Sequence, residues 1–280
     1  MDMKTGFFFK IFVFLAVALF LGVPDLFSQE NRLEEARRLL LNPRLDFPQA
    51  RQALALYEEI LPRAKNPQER VSIQVALART CFIAGDLAPK NQKSQALDFF
   101  KKGEHYAVLL SRGEPHGAAG PYWMAMNLLG MADVHRGMKA LGMLPRIIKE
   151  MERSLAVDSG YDQAGAHRVL GRIYYEAPAW PISVGDMQKS YRHLTEAVLL
   201  APENSTNHLY LAETLTRMGK QAEACKELGL VSKSCSHALR PQLLEEDRRD
   251  ARRLLQDCGE AKTAPQVDAP VLKALPEPGG

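Results

Sequence analysis

The sequence predicts an all-α chain, a helical-repeat solenoid of about five helix pairs with lengthened inter-helix loops and a C-terminal capping helix. Two observations carry that prediction. The first is the stretch 161–202, which reads as two helices joined by an unusual loop. In its first helix Ala166, Leu170, Ile173, Tyr174 and Ala177 fall three and four residues apart; in its second Met187, Tyr191, Leu194 and Val198 do the same. Apolar residues at that spacing form one stripe along a helix. Each stripe is too wide for its partner alone, so the pair must stack on another pair.

The second observation is an echo. Gly185, Ser190, Leu194 and Ala197 return 34 residues later as Gly219, Ala224, Leu228 and Val231. Leu170-Gly171 returns as Leu211-Ala212 after 41, because the earlier copy holds an extra loop. A small residue beside Leu, a turn Gly, then Ala and a large apolar residue make the tetratricopeptide pattern, whose period is about 34 residues. Small residues are needed where two helices cross closely. The fold alone names no function.

Composition narrows the classes. The 280 residues are 46% hydrophobic and 25% charged, ordinary for a globular chain. With 36 Lys and Arg against 33 Asp and Glu, mixed along the helices, no concentrated basic face is available for nucleic acid. At the N-terminus Lys4 and Lys10 precede an apolar run, Ile11 to Val23, followed by Pro24 and by small Ser28. That pattern reads as a secretory signal peptide over 1–28, and an uncleaved signal anchor is the other reading. The run is shorter than the roughly 20 residues that span a bilayer. No Cys follows it to accept a lipid. The expected location is therefore exported and periplasmic, with membrane attachment only if the signal stays on.

Along the chain, 29–65 reads as an N-terminal helical pair, cut by Asn42-Pro43 and closed by Pro62. The repeat domain runs over 66–260 and starts at Asn66-Pro67-Gln68-Glu69, where Asn caps, Pro suits the first turn and Glu reaches back. Its first helix carries Val71, Val75, Ala78 and Phe82. Extra loops are expected at Leu87, at Met138 to Leu144 and at Glu176 to Val184, with a new helix starting at Met143-Leu144-Pro145. Pro241 to Cys258 is a charged helix with few apolar residues and suits a terminal cap. From 261 to 280 Pro, Ala and Gly dominate, as in a disordered tail.

No catalytic or cofactor motif is present: no GxSxG, HExxH, GxxxxGK, or GxGxxG after a strand. The expectation is a non-enzymatic protein without cofactor or metal. His167 and His193 can face each other across the organising pair, and with no further ligand placed by spacing they read as structurally satisfied. Asp158, Asp162, Asp186 and Glu196 read as caps and solvated faces. Cys81 reads as a buried free thiol. An oxidising compartment permits a bridge among Cys225, Cys235 and Cys258, and their spacings fit no zinc pattern. The aromatic residues Tyr122, Trp123, Tyr174, Tyr175 and Trp180 gather near the expected loops. Trp180, between Pro178 and Pro181, either anchors its loop on the core or walls an apolar cleft.

Several of these residues also run in a familiar order. Tyr122-Trp123, Leu144-Pro145, Met151 to Leu155, Asp158, Tyr161, Gly165-Ala166-His167, Leu170-Gly171, Pro178, Gly185-Asp186 and His193 to Ala197 resemble the T-component of TRAP transporters. The resemblance covers about 96–211. It implies a helical-repeat periplasmic protein that associates with a solute-binding subunit and handles an apolar or organic-acid ligand. Oligomers are compatible with it. The candidate ligand- and partner-binding residues are Tyr122, Trp123, His167, Tyr174, Trp180 and Asp186. Two departures stand out: the chain lacks the family's common lipid-acceptor Cys, and Val184-Gly185 replaces its usual Gly-Gly. A general protein-interaction scaffold outside the cytoplasm is the alternative reading.

Overall fold

The computed structural model describes residues 29–233 and 241–261. The expected signal peptide, Cys235 and the tail beyond Ala261 lie outside them. Helix α1 spans 29–40. It is followed by α2 (Phe47–Ile60), α3 (Pro67–Asp86), α4 (Lys93–Gly113), α5 (Ala119–His135) and α6 (Gly137–Val157). Then come α7 (Tyr161–Glu176), α8 (Met187–Leu200), α9 (Ser205–Arg217), α10 (Gln221–Val231) and α11 (Pro241–Ala261). No strand occurs among the described residues. Starts are set by local chemistry. Asp46 and Gln49 form a reciprocal capping box on α2, and Asn66 caps α3 while Glu69 reaches back to the Lys65 amide.

Each helix packs on the next, and in addition α3 touches α5, α7 touches α9 and α9 touches α11. The odd-numbered helices thus form an inner row and the even-numbered ones an outer row, the arrangement of a stacked helix-pair solenoid. Three apolar cores follow one another along it. The first joins α1, α2 and one side of α3, the second runs from α3 to α7, and the third fills α8 to α11. Helix α3 serves two cores with two stripes: Ile73, Leu77 and Cys81 face the first, Val71, Val75 and Ala78 face the second, and Phe82 packs against both.

The repeat offsets locate the closest crossing. A Cβ on Gly171 would lie 2.4 Å from Leu194 Cγ, and Leu194 is wholly buried. The buried row of α8 is Ser190, Leu194 and Ala197, the echoed positions. Met187, Tyr191 and Val198, expected inward with Leu194, are only half-buried. The row of small residues brings α8 so close to α7 and α9 that larger side chains remain at the flanks.

Two expectations need correction. Residues 138–144 form no loop, and no helix starts at Met143: α6 runs unbroken from Gly137 with Pro145 inside it. Proline removes one backbone donor and crowds the preceding turn. Here Pro145 is exposed and Leu144, Ile147 and Met151 are buried, so packing on either side holds the helix together. The loops at 87–92 and 177–186 are present as expected. Cys225 on α10 is bridged to Cys258 on α11, and Cys81 is a buried free thiol that burial pushes up to about 12.

The Gly171 crossing yields a test of the packing. Gly171→Ala gains about 1 kcal/mol of helix propensity but overpacks a wholly buried contact, at about 1–3 kcal/mol. The net expectation is a lower midpoint in chemical denaturation. A raised midpoint would mean that the α7–α8 crossing opens freely.

Candidate ligand and partner groove

The inner row of helices, with α4 beside it, lines a groove of about 800 Å³. Its apolar floor includes Phe82 from α3, Phe100 from α4, Tyr122, Met126 and Leu129 from α5, and Val169 and Ile173 from α7. Leu209 and Tyr210 of α9 and Leu243 of α11 form the far wall. Charges rim it: Lys90, Lys93 and Arg136 lie with Asp86 and Asp133 on the α3–α5 side, and Glu246, Asp247 and Asp250 on α11. Concave, mainly apolar clefts with a few placed polar groups are the usual form of ligand sites.

The groove's centre is built on an unusual piece of backbone. Asp162, Gln163 and Ala164, at the start of α7, all have positive φ, at 51°, 57° and 59°. Left-handed backbone costs an L-residue roughly 1–2 kcal/mol each, so tertiary partners must hold it. Tyr122 Oη donates to Asp162 Oδ2 at 2.5 Å. Arg168 donates to the Asp162 carbonyl and carboxylate, both at 3.3 Å, and to the Gln163 carbonyl at 3.0 Å. From α9 and its cap, Asn207 donates to the Gln163 carbonyl at 3.4 Å and Asn204 to Gln163 Oε1 at 2.6 Å. Hydrogen bonds to charged groups are worth about 1.5–3 kcal/mol net, enough together to offset the strain. Gly165 makes room for this cage, since a Cβ there would lie 2.5 Å from Tyr122 Oη. Burial, and then the Asp162 charge, hold the Tyr122 hydroxyl protonated far above the usual tyrosine range, so it stays a donor.

A second polar assembly lies one turn along α7. Arg172 pairs with Glu213 of α9 and with Glu176, and its guanidinium sits 4.4 Å above the Tyr210 ring and 5.1 Å from Tyr175. Arg217 covers Tyr175 at 3.7 Å and donates to its carbonyl. Burial opposes the Arg172 charge, but its carboxylate partners outweigh burial and raise its pKa. On α11, Asp247 accepts from Ser205 at 2.6 Å and Thr206 at 2.7 Å. Burial raises its pKa against the pull of these two donors.

The six sequence-derived candidates fall into separate places. Tyr122 lines the groove; Trp123, 1% exposed, is in the core and donates to Tyr161 Oη at 3.0 Å. The two rings Tyr122 and Trp123 meet edge to face at 5.1 Å. His167 faces His193 with their Nδ1 atoms 3.1 Å apart, and Tyr174 stacks on His193. This group borders a different recess, lined by His167, Tyr191, Arg192, His193, Thr195 and Glu196. Burial first, then His167, Arg192 and Lys189, lower His193 to about 4. Burial also lowers His167. Trp180 is 84% exposed on the α7–α8 loop, so it does not fold back on the core. Asp186 caps α8 by accepting from the Gln188 and Lys189 amides.

Sequence reasoning missed the residues that organise the groove. Asp162 read as a cap or a solvated face and is instead an acceptor inside the cage. Arg168 and Arg172 passed unremarked, although two arginines four apart on a helix, opposite Asn207 and Glu213 41 or fewer residues on, carry a visible register.

Comparison with known proteins accords with this architecture. Among solved structures, TTC0263, a thermophilic TPR protein of Thermus thermophilus, aligns with a TM-score of 0.57 at 17% identity, over 81% of this chain and 99% of that one. The fold therefore defines a tetratricopeptide-type helical-repeat protein. MamA aligns at 0.38 with 15% identity over 74% of this chain and 92% of its own. BtubC from P. vanneervenii aligns at 0.39 with 16% identity over 89% and 96%. No curated protein matches the sequence. The TRAP transporter T-component family matches residues 75–237, more than half of the chain, and the chain belongs to that family.

The wall of α9 offers a pH test. Burial of the His208 ring disfavours its proton, but the Glu227 carboxylate at 2.6 Å and the Pro202 carbonyl at 2.7 Å outweigh burial and raise its pKa above 6.5. A raised folded value means that the stabilisation is fully present below pH 6.5 and is lost as pH rises through the folded value. In denaturation series across pH, wild type should exceed His208→Gln most below 6.5, with the gap narrowing above it. A gap that widens toward alkaline pH would contradict this.

Proposed function

We propose that the protein is an exported, non-catalytic T-component that docks a solute-binding subunit and holds an apolar or organic-acid ligand in its inner groove. The observation that carries the proposal is a coincidence of ranges. The family match over 75–237 takes in most of the helices that build the groove. The groove's chemistry supports it: an apolar floor suits a hydrocarbon body, and Lys90, Lys93 and Arg136, set among Asp86 and Asp133 at one side, offer cations to a carboxylate. Its central arginines, Arg168 and Arg172, are engaged by Asp162, Glu176 and Glu213, an arrangement that suits a shaped wall better than a reacting centre. No helix among the described residues is long and apolar enough to cross a membrane. Under the proposal the N-terminal apolar run directs export.

The six candidates then divide by role. Tyr122 belongs to the ligand groove, while Trp180 is the partner contact, a large exposed ring beside exposed Ile182. Aromatic anchors of this kind dominate protein interfaces. Trp123, Tyr174 and Asp186 support these surfaces from behind, and His167 lies apart from the groove.

Two variants test this by pull-down and size-exclusion with the host's exported solute-binding proteins, alongside native mass spectrometry of the captured protein. Trp180→Ala should alter stability by no more than about 0.5 kcal/mol yet weaken partner binding by about 2 kcal/mol. Leu129→Lys, on the groove floor, should release any small apolar ligand that travels with wild type. Wild-type partner and ligand binding in both variants would overturn the proposal. A stoichiometric complex with an unrelated exported protein would favour a general interaction scaffold instead.

A further inference from the structure

The recess on the other side of α7 has no part in the groove, yet it brings two metal-ligating side chains face to face. His167 of α7 and His193 of α8 point their Nδ1 atoms at each other across 3.1 Å, with ring centroids 5.2 Å apart and planes inclined by 48°. Two imidazole nitrogens at that separation can share one proton in a hydrogen bond. A tilt of the rings off the line joining them would instead let both nitrogens take two adjacent positions on one metal ion. With metal–nitrogen bonds of about 2.0–2.1 Å, a 3.1 Å separation subtends roughly 100° at the ion. That lies between the right angle of a tetragonal site and the tetrahedral angle.

The surroundings add three observations. The recess bordering both rings has a volume of about 400 Å³, room for an ion with several waters. Tyr174 stacks on His193 at 5.7 Å and 22°, which fixes that ring's orientation as a packed neighbour fixes a ligand. Nearby charge is mixed: Glu196 lines the recess and favours a cation, whereas Lys189 and Arg192 oppose one. Among the described residues no set of three His, Cys, Asp or Glu converges, so water must complete the shell.

We propose that His167 and His193 bind one late first-row divalent cation through their facing Nδ1 atoms, clipping α7 to α8. Imidazole suits copper, nickel and zinc, and by the general affinity order copper(II) binds tightest. Two protein ligands and opposing cations make the ion exchangeable. This site is independent of the ligand groove and of the partner proposed for it.

The test uses the full chain titrated with copper(II), and separately with zinc, near neutral pH, by calorimetry and thermal melting. Electron paramagnetic resonance reads the copper ligands. One equivalent should bind, raise the melting temperature and show two equatorial nitrogens. His193→Phe, which keeps a ring against Tyr174, and His167→Gln should each weaken binding by roughly a hundredfold. His105→Gln, at an exposed position, should change nothing. No binding by wild type, undiminished binding in both recess variants, or a stoichiometry that follows the exposed histidines would overturn the proposal. If a recess variant loses helicity, the two-nitrogen spectrum and the metal-dependent melting of wild type decide.

Discussion

The structure depends on a short left-handed turn and the polar cage that holds it. Asp162, Gln163 and Ala164 sit where the solenoid passes from its middle core to its last one, and no glycine relieves them. Their backbone carbonyls and side chains are held by donors from three helices: Tyr122 of α5, Arg168 of α7 itself, and Asn207 of α9 with its cap Asn204. Backbone held in a sparsely populated region persists only where its surroundings over-determine it. Here the surroundings are the helices that line the groove, so the turn and the groove share one set of bonds.

That sharing explains how an apolar groove and a charged clamp coexist. Tyr122 presents its ring to the floor and its hydroxyl to Asp162. Arg168 and Arg172 leave one face of α7 toward α9, where Asn207 and Glu213 receive them. Their charges are neutralised inside the wall, and the floor beside them stays apolar. Farther along, Ser205 and Thr206 bind Asp247, and the Cys225–Cys258 bridge ties α11 to α10. The capping helix therefore adds the acidic residues Glu246, Asp247 and Asp250 to the groove's lining.

The local rules of helix pairing were legible in the sequence. The echo of Gly185, Ser190, Leu194 and Ala197 located the buried row of α8, and Leu170-Gly171 located the crossing that admits Leu194. Cys81 and the loop before Asp186 were also readable, because burial on a helix face and a Pro-rich interruption leave local marks. What depends on distant partners left none. Asp-Gln-Ala has no glycine to announce a left-handed turn, and Pro145 suggested a break that packing at Leu144, Ile147 and Met151 overrides. Trp180 was undecided between loop anchor and cleft wall, since only the fold tells which way a loop side chain faces; it is exposed on its loop and outside the groove's lining.

The central claim is that the cage couples the middle of the solenoid to its end. Hydrogen–deuterium exchange on wild type and Asp162→Ala tests it most directly. The account predicts faster exchange in α7 from 161 to 168 and, with it, in the first turn of α9 around Asn207, while α3 and α4 stay protected. Faster exchange confined to the turn, with α9 unchanged, would contradict it.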